Sequence, residues 1–308
     1  MFPLRYLQLD VFSAGPGGGN KLGVVFGASH WSGAQMQRFA AWTQLVETTF
    51  VLPTRAPQAS YRLRIFMPHK EIPFAGHPSI GSAHAVLQTG WARPRDGRLL
   101  QECDAGILPI RVDEAGAGPR DLYIRTPPAH IMREGADALD ALAPVLDGQP
   151  LGQRGGVLIE GGRRWWLAEF ADADRLRAWQ PGHAAMTALA QSTQSMGLCA
   201  FARTQGLDHD LVVRAFPAGA GIVEDPASGA ANGLIAACIA QREPQGPLAR
   251  GYCVSQGREI GHDARLVVHI DDDGQVWVGG RTHTIIDGQL AWRTEPTGHV
   301  EPLQMAAG

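Results

Sequence analysis

Two stretches decide how this chain reads. The first is Arg64-Ile65-Phe66-Met67-Pro68, a loop, then Gly76-His77-Pro78-Ser79-Ile80-Gly81-Ser82-Ala83. The second is Arg214-Ala215-Phe216-Pro217, a loop, then Glu224-Asp225-Pro226-Ala227-Ser228-Gly229-Ala230-Ala231. Arg214 follows Arg64 by 150 residues and Pro226 follows Pro78 by 148, close to half of the 308-residue chain. A period that long marks a duplicated fold rather than a short-repeat solenoid. In each copy the run before the loop, rich in aromatic and β-branched residues, reads as a strand, and the segment after it reads as a helix. The helices are expected over Ser79 to Gln88 and Ala227 to Gln241, with Pro78 and Pro226 at the first helical position, where a missing N–H costs nothing. Both segments are small or apolar nearly all round, so each helix is expected to be buried on every side.

Outward from these, short strands are expected at Leu4 to Phe12, Gly23 to Phe26, Thr48 to Leu52, Ile107 to Val112, Leu122 to Arg125, Arg265 to Ile270, Gln275 to Gly279 and Thr284 to Ile286. Asp273-Gly274 and Asp287-Gly288 read as turns between them. Outer helices are expected at Ser32 to Val46, Glu134 to Leu146, Ala173 to Trp179 and His183 to Gln194. The fold class is therefore α/β (α+β): two pseudo-symmetric domains, each a curved, barrel-like sheet around a central buried helix. Proline blocks strand continuation at Thr126-Pro127-Pro128, which places the boundary between half-domains 1–128 and 129–308.

Composition narrows the function classes. With 44% hydrophobic and 19% charged residues the chain is ordinary for a globular protein, and no apolar run is long enough to span a bilayer. The N-terminal MFPLRYLQLDVF lacks the pattern of a signal peptide, so a cytoplasmic location is expected. A net charge of -3, from 27 basic and 30 acidic residues, offers no positive field for nucleic acid or anionic membrane. The cysteines, Cys103, Cys199, Cys238 and Cys253, show no CxxC spacing and read as reduced structural thiols.

The chemistry is expected at the helix starts. A helix start offers unpaired N–H groups and partial positive charge, so two starts facing one cleft would receive a carboxylate. Gly76, Ser79, Ser228 and Gly229 are small enough to let a ligand approach the backbone. His77 and Asp225 stand at the two mouths, although on residue type alone Asp225 could simply cap its helix and His77 could simply fill space. Glu47 lies between an amphipathic run (Met36, Phe39, Ala40, Thr43) and the strand from Thr48. A helix end and partial desolvation would both raise its pKa toward neutrality, as a proton-shuttling carboxyl needs. A solvated surface glutamate is the plainer alternative.

Other features carry less. Gly15-Pro16-Gly17-Gly18-Gly19-Asn20-Lys21 fits neither phosphate-loop pattern and reads as a flexible turn. His69, His77 and His84 lack the spacing of a helical zinc site, so no metal is expected. The eight tryptophans, Trp165-Trp166 among them, read as packing.

The sequence resembles the phenazine-biosynthesis isomerase-like (PhzF-like) family, relatives of diaminopimelate epimerase. The matching stretches are Gly19-Asn20 with Val24-Val25-Phe26, Glu47-Thr48-Thr49-Phe50-Val51, Pro73-Phe74-Ala75-Gly76-His77-Pro78, Glu224-Asp225-Pro226-Ala227-Ser228-Gly229 and Gln256-Gly257. They run in order along essentially the whole chain. The resemblance implies the diaminopimelate epimerase-like fold, with C-terminal strands returning to the first domain, a homodimer, and no cofactor. It implies Glu47 as the proton carrier, His77 and Asp225 lining the site as catalytic residues, and Gly76, Ser228 and Gly229 holding the substrate. The implied function is an isomerase moving a proton on a small carboxylic acid. The alternatives are an epimerase with Glu47 and Asp225 on opposite faces, or a small-acid binding protein without turnover. Lys21 and Gly261-His262-Asp263-Ala264 depart from the family pattern. No cysteine falls at a helix mouth, which disfavours the two-thiol racemisation of the epimerase relatives.

Overall fold

A computed structural model describes residues 4–113 and 120–292. Residues 1–3, 114–119 and 293–308, which the expected half-domains include, lie outside the described residues. The first half runs β1 (Arg5–Val11), β2 (Asn20–Phe26), α1 (Gly33–Thr43), β3 (Glu47–Leu52), β4 (Tyr61–Met67), β5 (Lys70–Ile72), α2 (Gly76–Gln88), β6 (Arg98–Cys103), β7 (Gly106–Asp113) and β8 (Asp121–Arg125). The second runs β9 (His130–Arg133), α3 (Ala136–Leu146), β10 (Leu151–Gly161), β11 (Arg163–Phe170), α4 (Ala173–Ala178), α5 (His183–Thr193), β12 (Leu198–Arg203), β13 (Leu211–Phe216), α6 (Gly229–Arg242), β14 (Gly251–Gln256), β15 (Ala264–Ile270), β16 (Val276–Gly280) and β17 (Thr282–Gln289).

Strand pairing displays the duplication. From β1 through β2, β3, β4, β6, β7 and β8 the contacts alternate antiparallel, parallel, antiparallel, parallel, then twice antiparallel. From β10 through β11, β12, β13, β14, β15 and β16 the same succession recurs. The halves join edge to edge where β8 pairs with β16. β17 runs back to pair with β1, Arg5 lying opposite Gln289.

The arginines of the repeat have matching roles. Arg64 grips Glu71 through two bonds, of 2.7 and 2.6 Å, and stacks over Phe66 at 5.1 Å. Arg214 grips Glu224 through bonds of 2.9 and 2.8 Å and stacks over Phe216 at 5.1 Å. Each fork fastens a sheet strand to the segment that precedes a central helix, Glu71 on β5 before α2 and Glu224 in the loop before α6. Arg214 also donates to the carbonyls of Leu176 and Trp179 at the end of α4.

The central helices are enclosed as their composition demands. α2 buries Ile80, Gly81, Ser82, Ala83, Ala85 and Val86, and α6 is buried from Ala231 to Ile239. Gly81 is small for a reason: a methyl there would stand 2.5 Å from the Leu22 side chain. One apolar core fills the interior of both sheets, while α1 packs a second cluster outside the first sheet and α3, α4 and α5 pack a third outside the second.

Several boundaries differ from expectation. α1 stops at Thr43, because Gln44 turns left-handed with φ 54°. α6 starts at Gly229 rather than Ala227, since Ser228 caps it, and Pro226 sits in the loop before it. Pro78 is the third residue of α2, still within the turn that needs no donor from it. Asp287-Gly288 is not a turn but part of β17, where Arg5 grips the Asp287 carboxylate at 2.8 and 2.7 Å. The glycine-rich segment before Asn20 is anchored, not loose, because buried Asp10 accepts from the N–H groups of Gly17 and Gly19 at 2.7 and 2.9 Å. His262 and Asp263 fasten the same segment from the second half, bonding Gly19 and Gly18.

The four cysteines are free thiols. Trp165 faces the inner core and Trp166 the outer one, as packing residues do. No helix among the described residues is long and apolar enough to cross a membrane.

Candidate active site

The two central helices meet at their first residues. A methyl built on Gly76 would lie 3.7 Å from the Cα of Gly229, and one on Gly229 would lie 3.8 Å from the Cα of Gly76. Phe12, held at φ 62° between the halves, brings its ring to 3.6 Å from the same Gly229 position. The two mouths are not equivalent. Ser228 caps α6 by accepting from the N–H of Ala231, whereas Ala75 at the start of α2 has no side-chain oxygen to offer. With Pro78 lacking an N–H, the first-turn donors of α2 are those of Gly76 and His77.

Glu47 begins β3, opposite Leu22 of β2, and is 7% exposed. It therefore owes its setting to the sheet interior, not to a helix end. Burial, and then the charge of Asp225, push its pKa up from 4.5 to about 8. His77, the second residue of α2, points its Nε2 at Glu47 Oε2 from 3.4 Å. Burial pushes that imidazole down to about 3, only partly opposed by the Lys21 backbone, so it is neutral at physiological pH. Both facing atoms are buried and, among the described residues, neither has a hydrogen-bond partner.

Asp225 is held from several sides. Its N–H donates to the Ala215 carbonyl at 2.9 Å, and its Oδ1 accepts from Asn20 Nδ2 at 2.9 Å and from the Ala227 N–H at 3.3 Å. Its backbone carbonyl accepts from Gln256 Nε2 at 2.8 Å. Burial raises its carboxyl to about 7, against the lowering effect of the Ala227, Ser228 and Asn20 donors. The fold thus brings Glu47 and His77 into contact, sets Gly76 against Gly229, and places Asp225 within electrostatic reach of Glu47. His84 is elsewhere, bonded to Thr284 at 3.2 Å.

Two amides join the site that residue chemistry had not singled out. Gln256 binds Asp225 with its nitrogen, and with its oxygen accepts from the N–H of Ser228 and the amide of Asn232. Asn20 reaches Asp225 from the other half. Both belong to motif stretches, but an amide titrates nothing and carries no signature of its role in sequence alone.

Fold and site together define an enzyme of the isomerase and epimerase class built on the diaminopimelate epimerase-like fold. The chain belongs to the phenazine biosynthesis-like protein family (PhzC-PhzF), whose model matches residues 9–288. It is 32% identical over 294 residues to antisense-enhancing sequence 1 of Schizosaccharomyces pombe, covering 92% of this chain and 97% of that one. It is 31% identical over 274 residues to the trans-2,3-dihydro-3-hydroxyanthranilate isomerase of Pseudomonas aeruginosa, covering 88% and 92%. The crystal structure of a PhzF-family phenazine biosynthesis protein from Bacillus anthracis superposes with a TM-score of 0.80 at 22% identity, covering 94% of this chain and 99% of that one.

Proposed function

We propose that the protein moves a proton on a small carboxylic acid without a cofactor, Glu47 taking the proton from one carbon and returning it to another. The observation that carries this reading is the pair of buried, facing atoms Glu47 Oε2 and His77 Nε2, without other partners among the described residues. A carboxyl whose pKa stands near neutrality is populated as both acid and base, which a single group that takes and returns a proton requires. The substrate carboxylate lies on the Gly76 and His77 N–H groups at the open start of α2. Gly229 and Ser228 face it across the cleft. Neutral His77 orients the Glu47 carboxyl, and Asp225 carries or stabilises a second charge. The relative from Pseudomonas aeruginosa is named for a cyclic amino acid, so trans-2,3-dihydro-3-hydroxyanthranilate is the first compound to try. Wild type in D₂O should place deuterium on carbon, and Glu47→Gln should not. Equal incorporation by both proteins would sink the assignment.

The raised pKa of Asp225 favours one second reading, an epimerase that uses both carboxyls on opposite faces of one carbon. Product chirality separates the two.

A further inference from the structure

Asn20 opens β2 and is 1% exposed. Its Nδ2 donates to Asp225 Oδ1 at 2.9 Å and to the Ala227 carbonyl at 3.0 Å, so both amide hydrogens are used. The Ala227 carbonyl can only accept, and Asp225 Oδ1 already accepts from the Ala227 N–H. A flipped amide would set oxygen against a carboxylate and a carbonyl, which fixes the orientation chemically. The remaining atom, Oδ1, is buried and accepts no hydrogen bond from any of the described residues.

Its surroundings are those of the site. β2 and β3 are parallel with Leu22 opposite Glu47, and side chains alternate along a strand, so Asn20, Leu22 and Glu47 share one face. That face looks onto α2, since Leu22 packs where a side chain on Gly81 would stand. Asn20 therefore has Glu47 on its own sheet and touches Asp225 of the other half. Among the described residues Glu47 Oε2, His77 Nε2 and Asn20 Oδ1, together with Asn232 Oδ1 on α6, are buried and have no hydrogen-bond partner. The first two can change protonation state. An amide oxygen can only accept, and left unpaired it is costly.

We propose that Asn20 is a substrate-contacting, specificity-determining residue whose Oδ1 accepts a hydrogen bond from a hydroxyl or amino group carried by the acid. The inference rests on the proposed function in placing an acid in this cleft, and it narrows the substrate class to acids bearing such a donor. It also gives one side chain two tasks. The amide nitrogen holds Asp225 and the amide oxygen reads the ligand.

The test uses the full chain with benzoate, 3-aminobenzoate and 3-hydroxybenzoate, which share a ring and carboxylate and differ in the donor. Calorimetric titration should show wild type binding at least one donor-bearing acid about fivefold or more tighter than benzoate, as one net hydrogen bond implies, and Asn20→Ala should lose that preference. The proposal is overturned if wild type binds the donor-bearing acids no better than benzoate, failure to bind any of them included. It is equally overturned if a folded Asn20→Ala keeps the preference. Should that variant fail to fold, a crystal structure of wild type with its preferred donor-bearing acid decides. A donor within about 3.2 Å of Asn20 Oδ1 supports the proposal, and a donor placed elsewhere overturns it. Absence of proton exchange in D₂O would remove the catalytic reading while leaving this binding result intact.

Discussion

Glu47 Oε2 stands 3.4 Å from His77 Nε2, and among the described residues neither atom has a hydrogen-bond partner. One belongs to the first residue of a strand and the other to the second residue of a buried helix, so the approach is set by how β3 lies along α2. A second tie fixes the same pair of elements, Thr49 Oγ1 bonding Ser82 Oγ at 2.8 Å.

Stability should fall with rising pH because of Glu47. Its pKa is about 8 in the fold against an ordinary 4.5. Between those values the unfolded chain releases a proton that the native chain keeps, so the contribution present below the lower value is gone above the upper one. Asp225, raised from 3.8 to about 7, acts in the same sense. Glu47→Gln removes one of these two burdens. In urea titrations at pH 8 the variant should be more stable than wild type by about 1 to 2 kcal/mol, with little difference near pH 4.

The pH–rate profile should report the two carboxyls and not the histidine. Glu47 and Asp225 are both raised toward neutrality, while His77 is held at about 3. His77→Gln should slow turnover about 100-fold and leave both limbs of the profile near their wild-type positions. Disappearance of a limb in that variant would mean that the imidazole itself titrates in the working range.

Two glycines should separate fold from function. At Gly76 an added methyl meets nothing closer than 3.7 Å, so Gly76→Ala should melt within about 1 kcal/mol of wild type while filling the space between the helix starts and cutting turnover at least tenfold. At Gly257, φ is +89° and a methyl would stand 2.6 Å from the Pro226 carbonyl. Gly257→Ala should push the loop carrying Asp225 out of place and cost about 1 to 3 kcal/mol, measured by denaturation alongside activity.

The repeated arginines should differ in weight. Side chains of the Arg214–Glu224 pair are 4% and 5% exposed, those of Arg64–Glu71 26% and 29%. Removing one partner of a buried pair strands the other charge. Arg214→Ala should cost about 3 to 5 kcal/mol and Arg64→Ala no more than about 1, compared by urea denaturation.

How legible all this was depended on the kind of signal. The two helix-mouth motifs gave away the duplication, because Arg, Pro and Gly recur there for backbone reasons that any copy must respect. Exposed helices with caps, such as Ala173–Ala178 behind Asp172, stood out as well. Strands such as Leu198–Arg203 did not, for five of its six residues are buried and no alternation survives to mark it. Gly155 and Gly156 likewise interrupt Leu151–Gly161, where the pairing register also shifts. Glu47 was legible as a candidate but not as a buried one. Its raised pKa comes from burial within the fold and then from the charge of Asp225, which is 178 residues distant in sequence.

The return of β17 to β1 has a consequence for biosynthesis. Arg5 finds its partner Gln289 only after 284 further residues have been made. Until then the outer rim of β1 lies open, a template to which stray strands can add. A nascent first half therefore waits, incomplete, for residues translated much later, and stretches far apart in sequence must meet before either can settle, which slows folding. A fragment ending at residue 128 should for this reason aggregate, whereas a permuted chain that joins β17 to β1 by a short linker should fold sooner than the natural order does.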